Sequence, residues 1–467
     1  MKSKKMLAQI AAFSLVFGTT GVVSSWADNT ANEVVVKGMT VEQYDPIKCV
    51  KVDNTLVDKA TDDSLSITGK DVRGIWLTDG AELTANNVNF NDKGTANEVG
   101  LDSASKLIMK GGSIKVPGVA FTADGGSTAT TDGTTIETGV LASNSTIILK
   151  NSTTTGVALY AGNEFGQGKV EEGLPVGTLT IDGGKANVKN ALVHNKGSMT
   201  VTNGAVLDLT GDLSATDEYT QAATGIKKGG EIVVRAWGPN TAQADKENSD
   251  TINKLDQATS FTVNGKSTIK ADAINVTGNS YQKHTARAKL MVNASSTVTA
   301  NTMNVGKYGY TYFKDSQLTV NGKLSVSGAA DGPTNPNPVG VEMHGSSATL
   351  NEVNVKNKGY IDLDQTNITV KQLTMDRSSA KINGGSFKAG EITVNGTDYG
   401  EIIVNGTVVE ADKGDAQITA TNSKIELNNA TFIKYGHADI TNSQFTVNGT
   451  LKLTSDGAIA DKGINYL

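Results

Sequence analysis

Short stretches in which apolar and polar residues alternate recur along most of this chain. Four of these stretches close on the same residues, Thr-Val-Asn-Gly, ending at Gly265, Gly322, Gly396 and Gly449. Alternation over three to five residues predicts a β-strand whose apolar side chains share one face. The Asn-Gly pair predicts a tight turn, because glycine readily adopts a positive φ.

Looser relatives of this unit begin at Leu107, Leu179, Met199, Leu290 and Ile402. One short strand cannot bury its apolar face alone, so the units are expected to stack on one another as a solenoid. We therefore predict an all-β fold, a right-handed parallel β-helix. Each coil is expected to contain three short strands in roughly 20 to 24 residues.

The pattern also predicts how the chain is divided. Residues 28–63 are less regular and are expected to form an N-terminal cap, whereas the β-helix is expected over 64–467. Three segments, 238–258, 279–289 and 331–338, interrupt the alternation with polar, basic or proline-rich sequence. We expect them to be insertions outside the coils.

The first 27 residues have the features of a secretory signal peptide. Lysines at positions 2, 4 and 5 precede a mostly apolar run from Met6 to Gly18, and Ser25-Trp26-Ala27 suits cleavage before Asp28. A membrane anchor is the alternative, but the apolar run is shorter than the roughly 20 residues that span a bilayer. We expect cleavage, with no membrane span in the mature chain.

Composition excludes several classes of partner. Loss of residues 1–27 removes three lysines and no acidic residue, which changes the net charge from −6 to −9. No basic stripe is evident, so nucleic acid is not an expected partner.

Cys49 is the only cysteine, so no intramolecular disulfide can form. His194, His284, His344 and His437 are widely separated, and neither a metal nor a cofactor is expected.

Catalytic motifs of β-helical polysaccharide-degrading enzymes are incomplete in this sequence. Arg287-Ala288-Lys289 resembles the Arg-x-Lys of polygalacturonases, and Gly436-His437 resembles part of their Gly-His-Gly. The order of the two motifs is reversed, however, and no Asn-Thr-Asp is present. Asp362 and Asp364 alternate on one strand, which predicts an outward polar face with Ile361 and Leu363 inward, or a paired-carboxylate site. We expect the protein not to be an enzyme.

The segment from Tyr308 to Phe313 is the strongest candidate for recognition. Its three tyrosines alternate, so an extended strand would place all three on one face as an aromatic platform. The alternative is that these rings cover an edge or pack beneath the neighbouring 279–289 insertion. That insertion contains basic residues, which would favour acidic or sulfated sugars. The predicted ligand-binding residues are Tyr308, Tyr310, Tyr312, Phe313, Lys283 and Arg287.

The signal peptide, the Thr-Val-Asn-Gly units, the Gly-Gly-Ser units at 111–113 and 384–386, and the single cysteine together resemble the passenger regions of Gram-negative autotransporters and related β-helical surface adhesins. This resemblance covers most of residues 65–453. It implies a pectin-lyase-like or autotransporter-passenger-like β-helix and adhesion to host or bacterial surface glycans or proteins.

The same resemblance implies a secreted or cell-surface location, with the periplasm as the alternative. Residues 454–467 do not predict the translocator domain of such proteins, so a separate outer-membrane transporter is an expected partner. A polysaccharide-degrading lyase or glycosidase and a purely structural rod are the alternative functions.

Overall fold

The fold was analysed in a computed structural model. It describes short strands between residues 35 and 77, residue 80, and residues 82–91, 99–162, 176–216, 225–236, 259–281, 284–328, 339–395, 402–404, 407–409, 416–433 and 436–454. All elements in these ranges are β-strands, and none of the described residues forms a helix long and apolar enough to cross a membrane. The predicted signal peptide lies outside the described residues, as do the segments 238–258 and 331–338.

The first strands include small antiparallel pieces. They are β1 (Val35–Val36), β2 (Met39–Thr40), β3 (Tyr44–Asp45), β4 (Cys49–Val52), β5 (Thr55–Asp58), β6 (Ser64–Thr68), β7 (Asp71–Val72) and β8 (Ile75–Leu77). Strands β3, β4 and β5 form an antiparallel sheet within the region predicted as a cap. The parallel pairing of β6 with a later strand follows this antiparallel sheet.

Two compact units follow from the contacts within the chain, one containing the residues up to Val233 and one those from Thr262, and the boundary passes through the strands Glu231–Arg235 and Thr259–Val263. The strands of the first unit are β9 (Glu82–Asn86), β10 (Asn89–Asn91), β11 (Val99–Leu101), β12 (Lys106–Lys110), β13 (Ser113–Lys115), β14 (Val119–Ala123), β15 (Thr128–Asp132), β16 (Thr135–Ile136), β17 (Gly139–Ser143), β18 (Thr146–Lys150), β19 (Thr153–Thr154), β20 (Ala158–Gly162), β21 (Thr178–Asp182), β22 (Lys185–Asn187), β23 (Asn190–His194), β24 (Ser198–Thr202), β25 (Val206–Asp208) and β26 (Glu231–Arg235).

Strands of the first unit pair in parallel with the strand three positions further along the chain, as β12 does with β15. Each coil therefore contains three short strands, as predicted. Apolar side chains stack in register between coils, as in the buried column Leu83, Leu107, Ala129, Ile147, Leu179 and Met199. Serine and threonine side chains bridge the coils at the corners. For example, the Ser127 hydroxyl accepts the backbone N–H of Ser105, 22 residues earlier. This architecture is a right-handed parallel β-helix.

The strands that follow the first unit are β27 (Thr259–Val263), β28 (Thr268–Thr277), β29 (Asn279–Tyr281), β30 (His284–Ala286), β31 (Ala288–Val292), β32 (Thr297–Val305), β33 (Gly309–Lys314), β34 (Gln317–Ser327), β35 (Val339–His344), β36 (Ser347–Lys356), β37 (Gly359–Asp376), β38 (Ser379–Asn395), β39 (Ile402–Val404), β40 (Thr407–Val409), β41 (Ala416–Thr421), β42 (Lys424–Ile433), β43 (Gly436–Thr441), β44 (Gln444–Val447) and β45 (Leu451–Thr454).

The coils of this second unit differ from the predicted three-strand form. Two of the three strands merge into one long strand, as in β34, where the pairing with β36 shifts register between Val320 and Lys323. The remaining strand of each coil stays separate in β31, β33 and β35, and continues as the first parts of β37 and β38 and then as β41 and β43. We call this series the short row. It carries the tyrosines singled out from the sequence.

Coil length in the second unit varies because of insertions. Ser386 and Asn367, hydrogen-bonded across adjacent coils, are 19 residues apart, whereas Ser316 and Ser346 are 30 residues apart. The 279–289 insertion contains the antiparallel hairpin β29–β30. The unit beginning at Ile402 was predicted as a coil strand and is instead part of a second antiparallel hairpin, β39–β40. Both hairpins immediately precede strands of the short row.

Candidate functional site

The predicted aromatic segment lies on β33 of the short row. Tyr310 and Tyr312 both point outward, and their rings stack with centroids 6.5 Å apart and an interplanar angle of 14°. Tyr308 precedes this strand in a turn with φ of 57°, so it does not continue the alternation. The Lys307 ammonium lies 5.6 Å from the centroid of the Tyr308 ring. The strand therefore carries two aligned tyrosines where three were predicted.

Phe313 was predicted as a ligand-binding residue, and its position contradicts that role. It is 0% exposed and points into the coil, because it follows the outward Tyr312 on an alternating strand. The inward-pointing Thr311 is also fully buried. Phe313 therefore belongs to the apolar core. Lys283, another predicted contact, lies outside the described residues.

Burial further reduces the part of the predicted aromatic platform that a ligand could contact. Tyr310 is only 8% exposed, and the guanidinium carbon of Arg287 lies 6.0 Å from the centroid of its ring. Arg287 is itself buried, and that burial lowers the pKa of its guanidinium against the opposing effect of Tyr360. The alternative that the rings pack beneath neighbouring groups thus describes Tyr310. Tyr312 remains half-buried and keeps part of its ring accessible.

The sequence did not predict Glu342, which lies at the centre of this cluster. Strand pairing places it on β35 directly beside Tyr312. The Tyr310 hydroxyl donates to Glu342 Oε2 at 2.8 Å, and the Tyr360 hydroxyl donates to Glu342 Oε1. One carboxylate thus receives hydrogen bonds from tyrosines on the two adjacent coils.

Gly340 makes room for this arrangement. It lies between Tyr310 and Tyr360 in the strand register, at the point where an outward side chain would otherwise stand. A Cβ atom at this position would overlap the ring of Tyr360. The ring of Tyr360 therefore occupies the space above Gly340 and reaches Glu342.

The two tyrosines are held as hydrogen-bond donors. Burial, followed by the negative charge of Glu342, raises the pKa of Tyr310 and the pKa of Tyr360 far above the ordinary value. Both hydroxyls therefore keep their protons throughout the physiological pH range. The carboxylate of Glu342 is correspondingly fixed in orientation.

A second carboxylate, Asp362, follows Glu342 in the same outward column. Its nearest cation is Lys381 on the next coil, with 3.6 Å between Lys381 Nζ and Asp362 Oδ2. Burial raises the pKa of Asp362, with Glu342 adding to the effect and Lys381 opposing it. Ile361 and Leu363 are buried on the inner face, as the alternation predicted.

The adjoining column contains His344, Asp364 and Asn383. His344 Nδ1 lies 3.5 Å from Asp364 Oδ2, and the Asn383 amide donates to Asp364 Oδ1 at 2.7 Å. The ring of His344 is 5.2 Å from that of Tyr312, centroid to centroid, and tilted by 46°. These contacts connect the accessible tyrosine to a network of polar side chains.

The accessible part of this surface is called the Tyr312 patch, and its members all lie on the short row of the second unit. Basic residues border the patch as well: Arg287 lies over the ring of Tyr310, and Lys314 is paired with His344 in the strand register. No described group of three or more His, Cys, Asp or Glu side chains is arranged to hold a metal ion. The patch consists of Tyr312, Glu342, His344, Asp362, Asp364 and Lys381.

The two polygalacturonase-like fragments do not meet. Lys289 lies on β31, the first strand of the short row, where it pairs with Tyr310. His437 lies on β43, the last strand of that row, where it pairs with Gln417. Strands β33, β35, β37, β38 and β41 lie between them. The incomplete motif found in the sequence therefore forms no common site.

Comparison of this chain with protein-family models, with characterised proteins and with solved structures finds no match.

Proposed function

We propose that this protein is a secreted or surface-displayed β-helical protein that binds carbohydrate on host or neighbouring cells through the Tyr312 patch. The observation that carries the proposal is a half-buried tyrosine ring beside two carboxylates, Glu342 and Asp362, in one outward column. Such a surface combines the two kinds of contact that a sugar makes. The apolar face of a sugar ring packs on the aromatic ring, while its hydroxyl groups donate to the carboxylates.

The charges of the patch change the expected ligand. The three carboxylates near Tyr312, Glu342, Asp362 and Asp364, are matched by three cations close to them, Arg287, Lys314 and Lys381. A sulfated or acidic sugar would be repelled by the carboxylate of Glu342, which lies directly beside Tyr312, whereas a neutral sugar supplies hydroxyl donors without that cost. Neutral glycans are therefore the proposed ligand class, in place of the acidic sugars expected from the sequence.

Export and display complete the proposal. The secretory features of residues 1–27 and the resemblance to autotransporter passengers support a location outside the inner membrane, with the periplasm as the alternative. A separate outer-membrane transporter is the proposed partner for transport. These elements rest on the sequence.

A polysaccharide-degrading activity is the second candidate, because Glu342 and Asp362 lie on adjacent coils in the same column. Glycosidases use two carboxyl groups, one as acid and one as nucleophile or base. Incubation of the full chain with neutral polysaccharides, followed by assay of reducing ends, distinguishes this activity from binding alone. Release of reducing ends that is lost in Asp362→Asn would support the enzyme.

Replacement of the accessible tyrosine tests the binding proposal directly. We expect Tyr312→Ala to weaken glycan binding about tenfold or more, because it removes the stacking surface. The measurement is binding of the full chain to an array of neutral and sulfated glycans. Thr299→Ala is the matched control, because Thr299 is a half-buried outward residue on a long strand away from the short row.

Two results would contradict the proposal. Wild-type protein that binds no glycan on the array would leave the patch without its ligand and favour the structural rod. Undiminished binding by a folded Tyr312→Ala variant would place the site elsewhere.

A further inference from the structure

The Glu342 carboxylate retains acceptor capacity after both tyrosine hydrogen bonds are made. A carboxylate can accept about four hydrogen bonds, roughly two at each oxygen. Tyr310 occupies one position at Oε2 and Tyr360 occupies one at Oε1. Counting the contacts of the described residues, each oxygen has one acceptor position left, and Glu342 is half-buried rather than enclosed.

The tyrosines determine which way those remaining positions point. Tyr310 on the preceding coil donates to one oxygen of Glu342, and Tyr360 on the following coil donates to the other. The plane of the carboxylate therefore cannot rotate freely. Fixed acceptors reduce the ordering cost of binding and select ligands whose donors match their spacing. Two adjacent oxygens match two donors on neighbouring atoms.

We propose that Glu342 is the specificity residue of the Tyr312 patch, accepting both hydroxyl groups of a vicinal diol on a neutral sugar, with Tyr310 and Tyr360 as its positioning residues. This inference rests on the proposed function and identifies the chemical group recognised. Tyr312 lies beside Glu342 in the register, so one sugar ring can contact the aromatic ring and present its diol to the carboxylate.

Asp362 is less suited to this role. Lys381 lies 3.6 Å from Asp362 Oδ2, which places a cation at one of its oxygens. The hydroxyls of Tyr310 and Tyr360 both donate to Glu342 and not to Asp362. We therefore assign it a supporting position next to Glu342.

A guanidinium group is the competing ligand, because it also presents two donors to a carboxylate. Two cations close to Glu342 disfavour it. Arg287 lies over the ring of Tyr310, and its charge acts on the same cluster as Glu342. Lys381 adds a second cation one column position beyond Asp362. A neutral diol avoids repulsion from both.

The first experiment removes the diol and leaves the protein unchanged. The wild-type full chain is tested on a neutral-glycan array, and the glycans that bind are retested after periodate oxidation and borohydride reduction, which cleaves vicinal diols but leaves a neutral polyalcohol. We expect binding to fall at least about tenfold. Equal binding of native and treated glycan overturns the inference, whatever the variants do.

The second experiment removes the acceptor. Glu342→Gln should reduce the affinity for native glycan about tenfold or more and should abolish the preference for native over treated glycan. Tyr310→Phe/Tyr360→Phe retains both rings and should weaken binding less, while reducing that same preference. A merely structural role of the tyrosines would not alter the preference. Glu342→Gln with unchanged affinity and preference overturns the assignment.

The outcomes separate the two proposals. If no glycan binds, or if binding survives Tyr312→Ala, the proposed function fails. If binding requires Tyr312 but is indifferent to diol removal, only the specificity assignment fails. A tetra-arginine peptide is tested in parallel, and peptide binding that depends on Glu342 without glycan binding would overturn the diol in favour of a basic protein partner.

Discussion

Gly340 shows how one missing side chain allows two tyrosines to reach the same carboxylate. Three consecutive coils present Tyr310, Gly340 and Tyr360 at the same outward position. A side chain on the middle coil would separate the two tyrosines and keep at least one hydroxyl from Glu342. The glycine is required here for space, since its Cα hydrogen faces the ring of Tyr360.

Gly340→Ala should therefore break the hydrogen bond from Tyr360 to Glu342 without unfolding the protein. The added methyl group must displace the ring of Tyr360, which we expect to lower the free energy of unfolding by about 1 to 3 kcal/mol. Glycan binding should weaken by about the same factor as in Tyr360→Phe, because both changes remove one hydrogen bond to Glu342. Urea unfolding and array binding measure the two effects. Unchanged binding by Gly340→Ala would show that the Tyr360 hydroxyl does not position the carboxylate.

The sequence revealed the part of the cluster that is local. Tyr310 and Tyr312 are two residues apart, so strand alternation alone predicts that they share a face. Glu342 and Tyr360 were missed because they are distant in sequence, with Glu342 32 residues after Tyr310 and Tyr360 18 residues after Glu342. Unequal coil lengths hide such a register. Finding it from the sequence would have required the exact length of each coil, which the alternation does not give.

At the scale of the elements, the repeated motif has different local structures at different places. Asn264-Gly265 forms the predicted corner, and Gly265 has φ of 62°. The same four residues ending at Gly322 lie within the long strand β34, at its register shift. Strand propensity was therefore predictable from the motif, whereas its position in the coil was not. Pairing with the neighbouring coils decides whether Asn-Gly turns or continues the strand.

The inward column of the long strands shows a further effect of position. It runs through Ala300, Val320, Leu350, Val370, Ala389, Leu427 and Val447. Val320 has neighbours on both sides and is 1% exposed, whereas Val447, on the last coil described, is only half-buried. Two valines of the same motif thus have unequal burial, although the sequence predicts equal roles for them.

We expect Val320→Ala to cost about 1 to 3 kcal/mol in the free energy of unfolding, because it leaves a cavity between two coils. Val447→Ala should cost less than about 1 kcal/mol, since much of its surface already contacts solvent. Chemical denaturation of the full-length variants compares these values. Equal costs would show that the end of the column is covered in solution.

For the whole molecule, the two units solve the same packing problem with different coils. Coils of the first unit contain three short strands, whereas in the second unit two of the three form one long strand. Two antiparallel hairpins also precede strands of the short row in the second unit. In each unit, burial of aligned apolar columns provides the stability that a chain with one cysteine cannot obtain from internal disulfides. The second unit buries two tyrosines, Tyr310 and Tyr360, on its outer face, and we expect them to make its stability depend on pH.

High pH should destabilise the protein through Tyr310 and Tyr360. In the unfolded chain their pKa lies near about 10, whereas in the folded protein it is raised. The folded state therefore retains these protons where the unfolded chain releases them, so the stabilising contribution is complete below pH of about 10 and declines as the pH rises further. Far-ultraviolet circular dichroism and tyrosinate absorbance, followed together on the full chain, should show ionisation of these tyrosines only with loss of strand structure.

The phenylalanine variants provide the control for this effect, because the remaining tyrosines of the 11 in the chain titrate in both proteins. Tyr310→Phe/Tyr360→Phe should lose less stability between neutral pH and pH of about 11 than wild type, even if its stability at neutral pH is lower. A variant that is less stable than wild type at neutral pH, yet loses less stability at alkaline pH, is expected only if these two hydroxyls are buried donors. An identical alkaline transition in both proteins would show that the hydroxyls are accessible to solvent, and it would remove the physical basis for a fixed Glu342 carboxylate.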